Sequence, residues 1–464
     1  MIHWHFVGIC GIGMSALAQF AAAVNIRVSG SDRALENIEN APLKAMLKKQ
    51  NIELFPQDGS RFGSNMPPVD AIIYSSAIEE NNPEFIAAGK TPRIHRASAL
   101  KELIKMRCSS GKTSIAIAGS CGKTSSTAII AEALCNLGLD AECINGGMIK
   151  SFADDMYPGN YRAGSGPAVF EADESDKSLL EFHPDYAVVL NIGTDHYSKE
   201  ELAAMFTTFV NQAKTGAVLQ DDVYGLIKND LKSDLKISTF GSSDSADWQV
   251  KNYQCTGGRS YASFNGSSSK VLPSAGMHTA MNSAAAAALL KILTDCPEDS
   301  ILDAVLNTHG VSRRFDFHGR TVNGTAVYDD YAHNPEKVAN IISAAQELVG
   351  NRGKVMIYFQ PHGYGPFGFM RDELGKVLAK TLRWNDRFYL AEPFYAGGTS
   401  SFSPSAGEVL ESWLAEYSNL SVCLAPERKE LKKLLIQDGT SDDIILIMGA
   451  RDNSLVLYAK ELTC

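Results

Sequence analysis

Short apolar runs that stop abruptly at glycine or polar residues recur along the whole chain. His5-Phe-Val, Ile26-Arg-Val, Ala71-Ile-Ile-Tyr, Ile115-Ala-Ile-Ala, Ala168-Val-Phe, Tyr186-Ala-Val-Val-Leu, Ala326-Val-Tyr, Val355-Met-Ile-Tyr-Phe and Ile444-Ile-Leu-Ile-Met are such runs. A short run that is apolar at nearly every position predicts a strand covered on both faces, as in parallel sheets. Helices are expected in the longer stretches between them, and the alternation predicts an α/β protein. The alanine run Ala284–Ala288 predicts a tightly packed helix, and the Ser/Gly-rich stretches Gly241–Ala246 and Asn265–Ser269 predict loop tips. The residues just past each run matter most, because ligands bind at the carboxyl edge of such sheets.

Ile115–Ala118 passes directly into Gly119-Ser-Cys-Gly-Lys-Thr124 and then into small residues suited to a helix start. A strand–glycine loop–helix unit aims backbone N–H groups and the positive end of the helix dipole at one point. Lys123 adds a compact positive charge and Thr124 a hydroxyl for a metal ion, so the segment predicts a cradle for nucleotide phosphates. It is the short form G-x-x-G-K-T, with Ile117 where the longer pattern has its first glycine. Ser110-Gly-Lys-Thr-Ser114 repeats the GKTS string but precedes the strand, which puts Lys112 at the wrong end and predicts a polar linker.

The first run leads into Gly8, Gly11 and Gly13 and then a helix, and the second ends at Gly30-Ser31-Asp32. This predicts a Rossmann-like βαβ start. The spacing is G-x-x-G-x-G, not the dinucleotide G-x-G-x-x-G, which argues against a nicotinamide dehydrogenase. It fits either a plain βα turn or a diphosphate site at the helix N-terminus. Asp32 is placed either to contact a ribose or base or to cap its strand. Ser75 and Ser76 follow Ala71–Tyr74 at the same edge.

Ala168-Val-Phe-Glu-Ala-Asp-Glu-Ser-Asp176 ends an apolar run in four carboxylates, which repel unless a cation sits among them. Tyr186–Gly193 leads into Thr194-Asp195-His196. As neighbouring strands, these two runs deliver Glu174 and His196 beside Thr124, a ligand set suited to Mg²⁺. The alternative for His196 is a hydrogen-bonded histidine at a strand end. A third α/β unit starts near Asp316. Thr325–Asp330 leads into Tyr331-Ala-His-Asn-Pro335, with a helix from Pro335-Glu336. Lys354–His362 and Ile444–Gly449 repeat the format. Ser312-Arg313-Arg314-Phe315 sets two guanidinium groups at the junction, either to reach a γ-phosphate or as surface ion pairs.

Composition narrows the class. The 464 residues allow two to four domains, and 45% hydrophobic with 21% charged residues is ordinary for a soluble protein. A net charge of -10 argues against nucleic acid as partner. The nine cysteines form no C-x-x-C pair, which predicts reduced thiols in the cytoplasm. With no basic leader and no apolar run of membrane length, no membrane partner is expected.

In this order the motifs resemble those of the Mur ligase family of ATP-dependent amide-bond ligases, over nearly the whole chain. The resemblance rests on Gly8–Ser15, Ser29–Asp32, Ser75–Ile78 with Asn82-Pro83, Gly119–Thr124, Glu171–Asp176, Asn191-Ile192 with Asp195-His196, Gly276 with His278 and Asn282, Gly310-Val311 with Arg313–Phe315, Asp329–His333 with Pro335, and Gln360-Pro-His362. It is strongest to the branch that adds L-alanine to UDP-N-acetylmuramate, with the murein-tripeptide recycling ligases as near relatives. The resemblance implies three domains: a UDP-sugar-binding Rossmann-like domain (1–108), a central P-loop ATPase-type domain (109–314) and a C-terminal Rossmann-like domain (315–464). It implies Gly11, Gly13, Met14, Ser15, Asp32, Ser75 and Ser76 on the UDP substrate. It implies Gly119, Ser120, Gly122, Lys123, Thr124, Ser125, His278, Asn282, Arg314 and Asp330 on ATP. Lys123, His196 and Arg314 take the catalytic roles, with Thr124, Glu174 and His196 on Mg²⁺ and Tyr331 and His333 on the acceptor side. The expected reaction phosphorylates the muramyl carboxylate and lets an amine displace phosphate, the three domains closing on one cleft, in a monomer or weak homodimer.

Three departures bear on this. Ser120, Cys121 and Ser125 replace the usual loop residues, and Cys121 is either harmless or a redox-sensitive thiol. Asn334 stands where the alanine-adding branch has a second histidine. Gln360-Pro-His is followed by Gly363, not an arginine able to hold the amino acid's carboxylate, so the donor is L-alanine held differently, another amino acid or a peptide. Arg371 is the candidate substitute.

Overall fold

The apolar runs form strands of three separate sheets, largely parallel. The structure, a computed structural model, describes residues 2–109, 111–193, 197–395 and 402–463. Met1–Asn252, Ser263–Pro273 and Ala280–Val311 make one compact unit, and Tyr253–Ala262, Ser274–Thr279 and Ser312–Cys464 a second.

The first sheet holds β1 (His3–Val7), β2 (Arg27–Asp32), β3 (Glu53–Pro56), β4 (Ala71–Tyr74) and β5 (Arg93–His95) in the order β3-β2-β1-β4-β5. Its helices are α1 (Ile12–Ala23), α2 (Ala41–Lys49), α3 (Pro83–Ala88) and α4 (Arg96–Cys108). All its strand pairs are parallel, so the glycine loop after β1, Asp32 on β2 and Ser75 after β4 share one edge. β2 runs on through Gly30 and Ser31, which pair with Phe6 and Val7. α1 begins at Ile12, so Gly11 is its N-cap and Gly13 lies inside its first turn.

The second sheet holds β6 (Ser114–Ala118), β7 (Glu142–Ile144), β8 (Tyr161–Arg162), β9 (Ala168–Glu171), β10 (Tyr186–Val189), β11 (Gly216–Gln220), β12 (Lys236–Gly241), β13 (Trp248–Thr256), β14 (Arg259–Phe264) and β15 (Lys270–Val271). The order is β15-β14-β13-β12-β11-β10-β6-β9-β7-β8. Its helices are α5 (Lys123–Asn136), α6 (Lys199–Asn211), α7 (Asp221–Ile227), α8 (Met277–Leu293) and α9 (Glu298–Leu306). β6 is buried throughout, and Ala284–Ala288 of α8 are fully buried as their composition predicts. β9 and β10 are not neighbours of each other: β6 lies between them, so their ends flank the phosphate loop from opposite sides. Lys112 sits at the opposite end of β6 and donates to the Gly164 carbonyl at 2.5 Å, a tie between loops. Within this unit α1 docks on the second sheet. Asn160 donates to the Ile12 carbonyl (2.7 Å) and Ser15 Oγ (2.8 Å) and accepts from Gln19 (2.9 Å), and Phe20 stacks on Tyr161.

The third sheet holds β16 (Asp316–Arg320), β17 (Ala326–Asp330), β18 (Val355–Gln360), β19 (Arg387–Leu390), β20 (Val422–Leu424) and β21 (Ile444–Gly449), in the order β16-β17-β21-β18-β19-β20. Only β16 is antiparallel. The helices are α10 (Pro335–Val349), α11 (Tyr364–Thr381), α12 (Ala406–Glu416), α13 (Arg428–Asp438) and α14 (Ser454–Glu461). α10 starts at Pro335, with Asn334 capping the Lys337 N–H at 2.9 Å. The register pairs Asp330 with Met448 and Gln360 with Gly449, so three loops leave one edge side by side.

Candidate functional site

β6 delivers the phosphate loop, and its glycines are dictated by neighbours. Gly119 has φ 138° and Gly122 φ 87°; a Cβ there would lie 3.0 Å from the Leu190 side chain and 3.1 Å from Asn282 Oδ1, respectively. Asn282 thus packs against the loop itself. The loop is clamped to the end of β10. Asn191 both donates to the Cys121 carbonyl and accepts from the Cys121 N–H at 2.8 Å, and Ser120 Oγ accepts from the Gly193 N–H at 2.8 Å. Ser125 lies half-buried in the first turn of α5, which carries no acidic residue.

The acidic segment after β9 wraps the two functional side chains of the loop. Lys123 Nζ reaches Glu174 at 2.6 Å, Asp173 at 3.9 Å and the Gly119 carbonyl at 2.8 Å. Burial works against its charge, but Glu174 and Asp173 outweigh that and raise its pKa. Thr124 Oγ1 donates to Glu171 at 3.0 Å, and the Gly146 N–H donates to the same carboxylate at 2.6 Å. The partner of Thr124 is therefore Glu171, the last residue of β9, whereas Glu174 faces Lys123. Sequence reasoning named Glu174 for the metal and passed over Glu171; its place at the carboxyl end of a strand beside β6 was the available signal. Arg96 was also missed. From the start of α4 it holds Asp173 at 3.3 Å and Asp176 at 3.5 Å. Lys123 and Arg96 are the cations that let four carboxylates gather. Thr124 Oγ1 and the Glu171 carboxylate, 3.0 Å apart, supply hard oxygens of the kind that Mg²⁺ takes, while Glu174 is engaged by Lys123. Thr194, Asp195 and His196 lie outside the described residues.

At the first sheet's edge, Gly11 and Gly13 are exposed while Met14 and Ser15 are buried. Ser15 Oγ donates to the Gly11 and Ile12 carbonyls and accepts from Asn160, so it holds the helix start rather than facing the crevice. Asp32 accepts from the Cys10 and Ala34 N–H groups at 2.8 Å, fastening the glycine loop to its strand end. Ser75 is half-buried and Ser76 exposed. A pocket lined by Gly13, Arg96, Asn145, Gly146, Glu171 and Asp173 runs from the glycine-loop helix to the acidic segment.

In the second unit, His278 is exposed in the first turn of α8. The two arginines at the junction have different fates. Arg313 is buried, donating to the Gly449 carbonyl at 2.6 Å and lying 3.4 Å from Asp329. It supplies the cation for the buried cluster Asp316, His318 and Asp329, a trio otherwise spaced like metal ligands. Arg314 is half-buried with its guanidinium 5.6 Å from the Tyr331 ring centroid. Asp330 is buried and accepts from the Phe315 and Ala332 N–H groups. Burial pushes its pKa up to about 6 against the opposing pull of Arg314. Tyr331 meets His333 edge-on at 5.6 Å, and His333 meets His362 edge-on at 5.0 Å. Burial, helped by nearby Lys337, drives His333 down to about 3. Burial with Arg451 and Lys337 drives His362 down to about 4. Both imidazoles are neutral at pH 7.

Residues 3–107 match the Mur ligase family, catalytic domain; residues 117–290 match the Mur ligase middle domain; residues 313–451 match the Mur ligase, glutamate ligase domain. The UDP-N-acetylmuramate–L-alanine ligase of Myxococcus xanthus is 30% identical, covering 97% of this chain and 92% of the relative. That of Agrobacterium fabrum is 31% identical over 96% and 93%. The chain belongs to the Mur ligase family. Among solved structures, the UDP-N-acetylmuramate-alanine ligase MurC of Thermotoga maritima superposes with TM-score 0.79 at 25% identity, covering 100% of this chain and 98% of that one. A murein peptide ligase from Psychrobacter arcticus shares the fold, with TM-score 0.67 at 19% identity and full coverage of both chains.

Mur ligases form amide bonds at the expense of ATP, which matches a clamped phosphate loop with Lys123 and Thr124 at its end. This Mur ligase has no described helix long and apolar enough to cross a membrane. Gly363 is the N-cap of α11. Arg371, the candidate substitute for a cation there, is exposed further along α11 and pairs with Asp372 at 3.4 Å. Cys121 is half-buried within the clamp.

Proposed function

We propose that this Mur ligase joins the muramyl carboxylate of UDP-N-acetylmuramate to the amine of L-alanine, with ATP cleaved to ADP and phosphate. The observation that carries the reading is similarity along 96–97% of the chain to ligases of that name. The reading assigns the UDP part of the substrate to residues 1–108, ATP to 109–314 and the amino donor to 315–464, in a cytoplasmic enzyme working as a monomer or weak homodimer.

The chemistry explains the residues. A carboxylate resists amine attack because the amine would have to expel oxide. Phosphoryl transfer from ATP converts it to an acyl phosphate, whose leaving group is stable, and the amine then adds and displaces phosphate. Both steps move negative charge, so positioning and electrostatics supply most of the catalysis. Gly119–Thr124 and the N-terminus of α5 cradle the phosphates, and Asn191 fixes the loop that does so. Lys123 moves from Glu174 onto the β- and γ-phosphates. Arg314 steadies the transferred phosphoryl group, and His278 and Asn282 serve the adenine side. Thr124, Glu171 and Glu174, with His196, would hold Mg²⁺, which when bound offsets phosphate charge. Gly11, Gly13, Asp32, Ser75 and Ser76 serve the UDP group at the first sheet's edge. Met14 and Ser15 act from behind by shaping the start of α1.

The test is ADP release with each substrate omitted in turn. ADP release must be sustained beyond one equivalent per enzyme only when ATP, UDP-N-acetylmuramate and L-alanine are all present, and the product mass must equal those of UDP-N-acetylmuramate and L-alanine less water. Turnover with another amino acid or a murein peptide but not L-alanine rejects the reading.

A further inference from the structure

The loop edge of the third sheet gathers three cations that no carboxylate pairs directly among the described residues. Arg314, Lys337 and Arg451 make no ion pair among the described residues, although all stand around His333 and His362. Nearby acids are otherwise engaged. Asp452 is tied to Arg428 at 2.6 Å, and Asp330 is enclosed by two backbone N–H groups. With both imidazoles neutral, Arg314, Lys337 and Arg451 carry the positive charge of the edge, and Glu336 in the first turn of α10 is the acid nearest Lys337 in sequence.

Arg451 is the member whose placement is most specific. β18 and β21 pair Gln360 with Gly449, so Arg451 and His362 each stand two residues beyond the same rung. Its backbone is held left-handed at φ 65°, uncommon for a non-glycine residue, and its N–H donates to Tyr331 Oη at 3.4 Å. The side chain is exposed. His362 Nδ1 is buried with no partner among the described residues. α11 starts beside it with no acid in its first turn, so its dipole adds to the positive field. Arg314, beside the Tyr331 ring, is assigned to the transferred phosphoryl group, whereas Arg451 stands beside His362 and has no role in that assignment.

We infer that Arg451 binds the α-carboxylate of the incoming amino acid, the role that Gly363 cannot fill and that Arg371, paired with Asp372, does not take. This rests on the ligase reading above. A guanidinium can hold a carboxylate through two parallel hydrogen bonds, which aims the amine and selects donors bearing that anion. The site therefore takes a free α-amino acid and discriminates against the same amine with a neutral amide end.

Steady-state kinetics of the full chain test this with L-alanine and L-alaninamide as donors. In Arg451→Gln the KM for L-alanine is expected to rise at least ten-fold, while the KM values for ATP and UDP-N-acetylmuramate stay within two-fold. The preference for L-alanine over L-alaninamide should shrink by a similar factor. Arg451→Lys, which keeps the charge but not the fork, should recover part of the loss, and an unchanged melting temperature excludes misfolding. An unmoved KM for L-alanine in Arg451→Gln overturns the inference alone, as does an equal rise in the KM for ATP, which would place Arg451 on phosphate. A wild-type enzyme that ignores L-alanine overturns the functional reading and this inference with it.

Discussion

The phosphate-loop edge of the second sheet and the loop edge of the third are built on opposite electrostatic plans. At the first, the cations are already matched: Lys123 by Glu174, and Arg96 by Asp173 and Asp176. At the second, Arg314, Lys337 and Arg451 make no ion pair among the described residues, and two imidazoles are held neutral. The difference teaches how each edge meets its ligand. The phosphate loop is clamped by Asn191 and Ser120, and under the proposed function Lys123 exchanges Glu174 for the nucleotide phosphates. At the third-sheet edge the cations have no ion-pair partner to exchange among the described residues, and under the inference above Arg451 takes an anion directly.

Four substitutions separate these plans. Lys123→Ala removes the exchanging cation and should lower kcat/KM for ATP at least about 1,000-fold with the fold intact by circular dichroism. Glu171→Gln keeps the hydrogen bond to Gly146 in reach but removes a carboxylate from the hard-oxygen set. A loss of roughly 100-fold in kcat, partly recovered by raising Mg²⁺, is expected from a ligating role. A titration in Mg²⁺ that leaves the loss unchanged would make Glu171 merely a tether for Thr124. Asn191→Ala cuts the clamp on Cys121 and should cost about 1–2 kcal/mol in urea unfolding, with the KM for ATP several-fold higher.

The smallest effect concerns the third-sheet edge and pH. The folded pKa of His333, about 3, lies below its ordinary 6.5. The folded state therefore resists a proton that the unfolded chain accepts, so this group's stability is complete above pH 6.5 and is lost as pH falls toward 3. Asp330 has the opposite sign: its folded value near 6 exceeds 3.8, so its contribution is lost as pH rises through 6. His333→Gln should reduce the stability lost between pH 7 and 5 by about 2 kcal/mol. An acid limb that does not change would remove His333 from the buried cluster.

The two edges also differ in how far the sequence disclosed them. The phosphate loop is contiguous, so its apolar strand, glycines and Lys123-Thr124 announce themselves. β6, β10, β17, β18 and β21 form where continuous apolar runs predict strands, because burial on both faces leaves a one-dimensional mark. What the runs do not carry is lateral order. Reading Glu174 and His196 as arriving from neighbouring strands missed that β6 lies between β9 and β10, and with it the pairing of Thr124 with Glu171. Asp32 and Ser15, named in the glycine motif for the UDP group, also hold main chain and, for Ser15, Asn160 from a segment about 150 residues away, a fastening that the motif does not disclose. Arg313 and Arg314 read as one pair, but burial against Asp329 separates them. Arg451 carries no motif at all: only the register of β18 with β21 brings it level with His362.

The central claim is that the enzyme activates a carboxylate by phosphorylation. It is tested most directly with UDP-N-acetylmuramate labelled with ¹⁸O in its muramyl carboxylate. Turnover with ATP and L-alanine must transfer one ¹⁸O atom to the released phosphate, visible by mass spectrometry. Phosphate free of the label, with amide formed, would contradict an acyl phosphate and the account built on it.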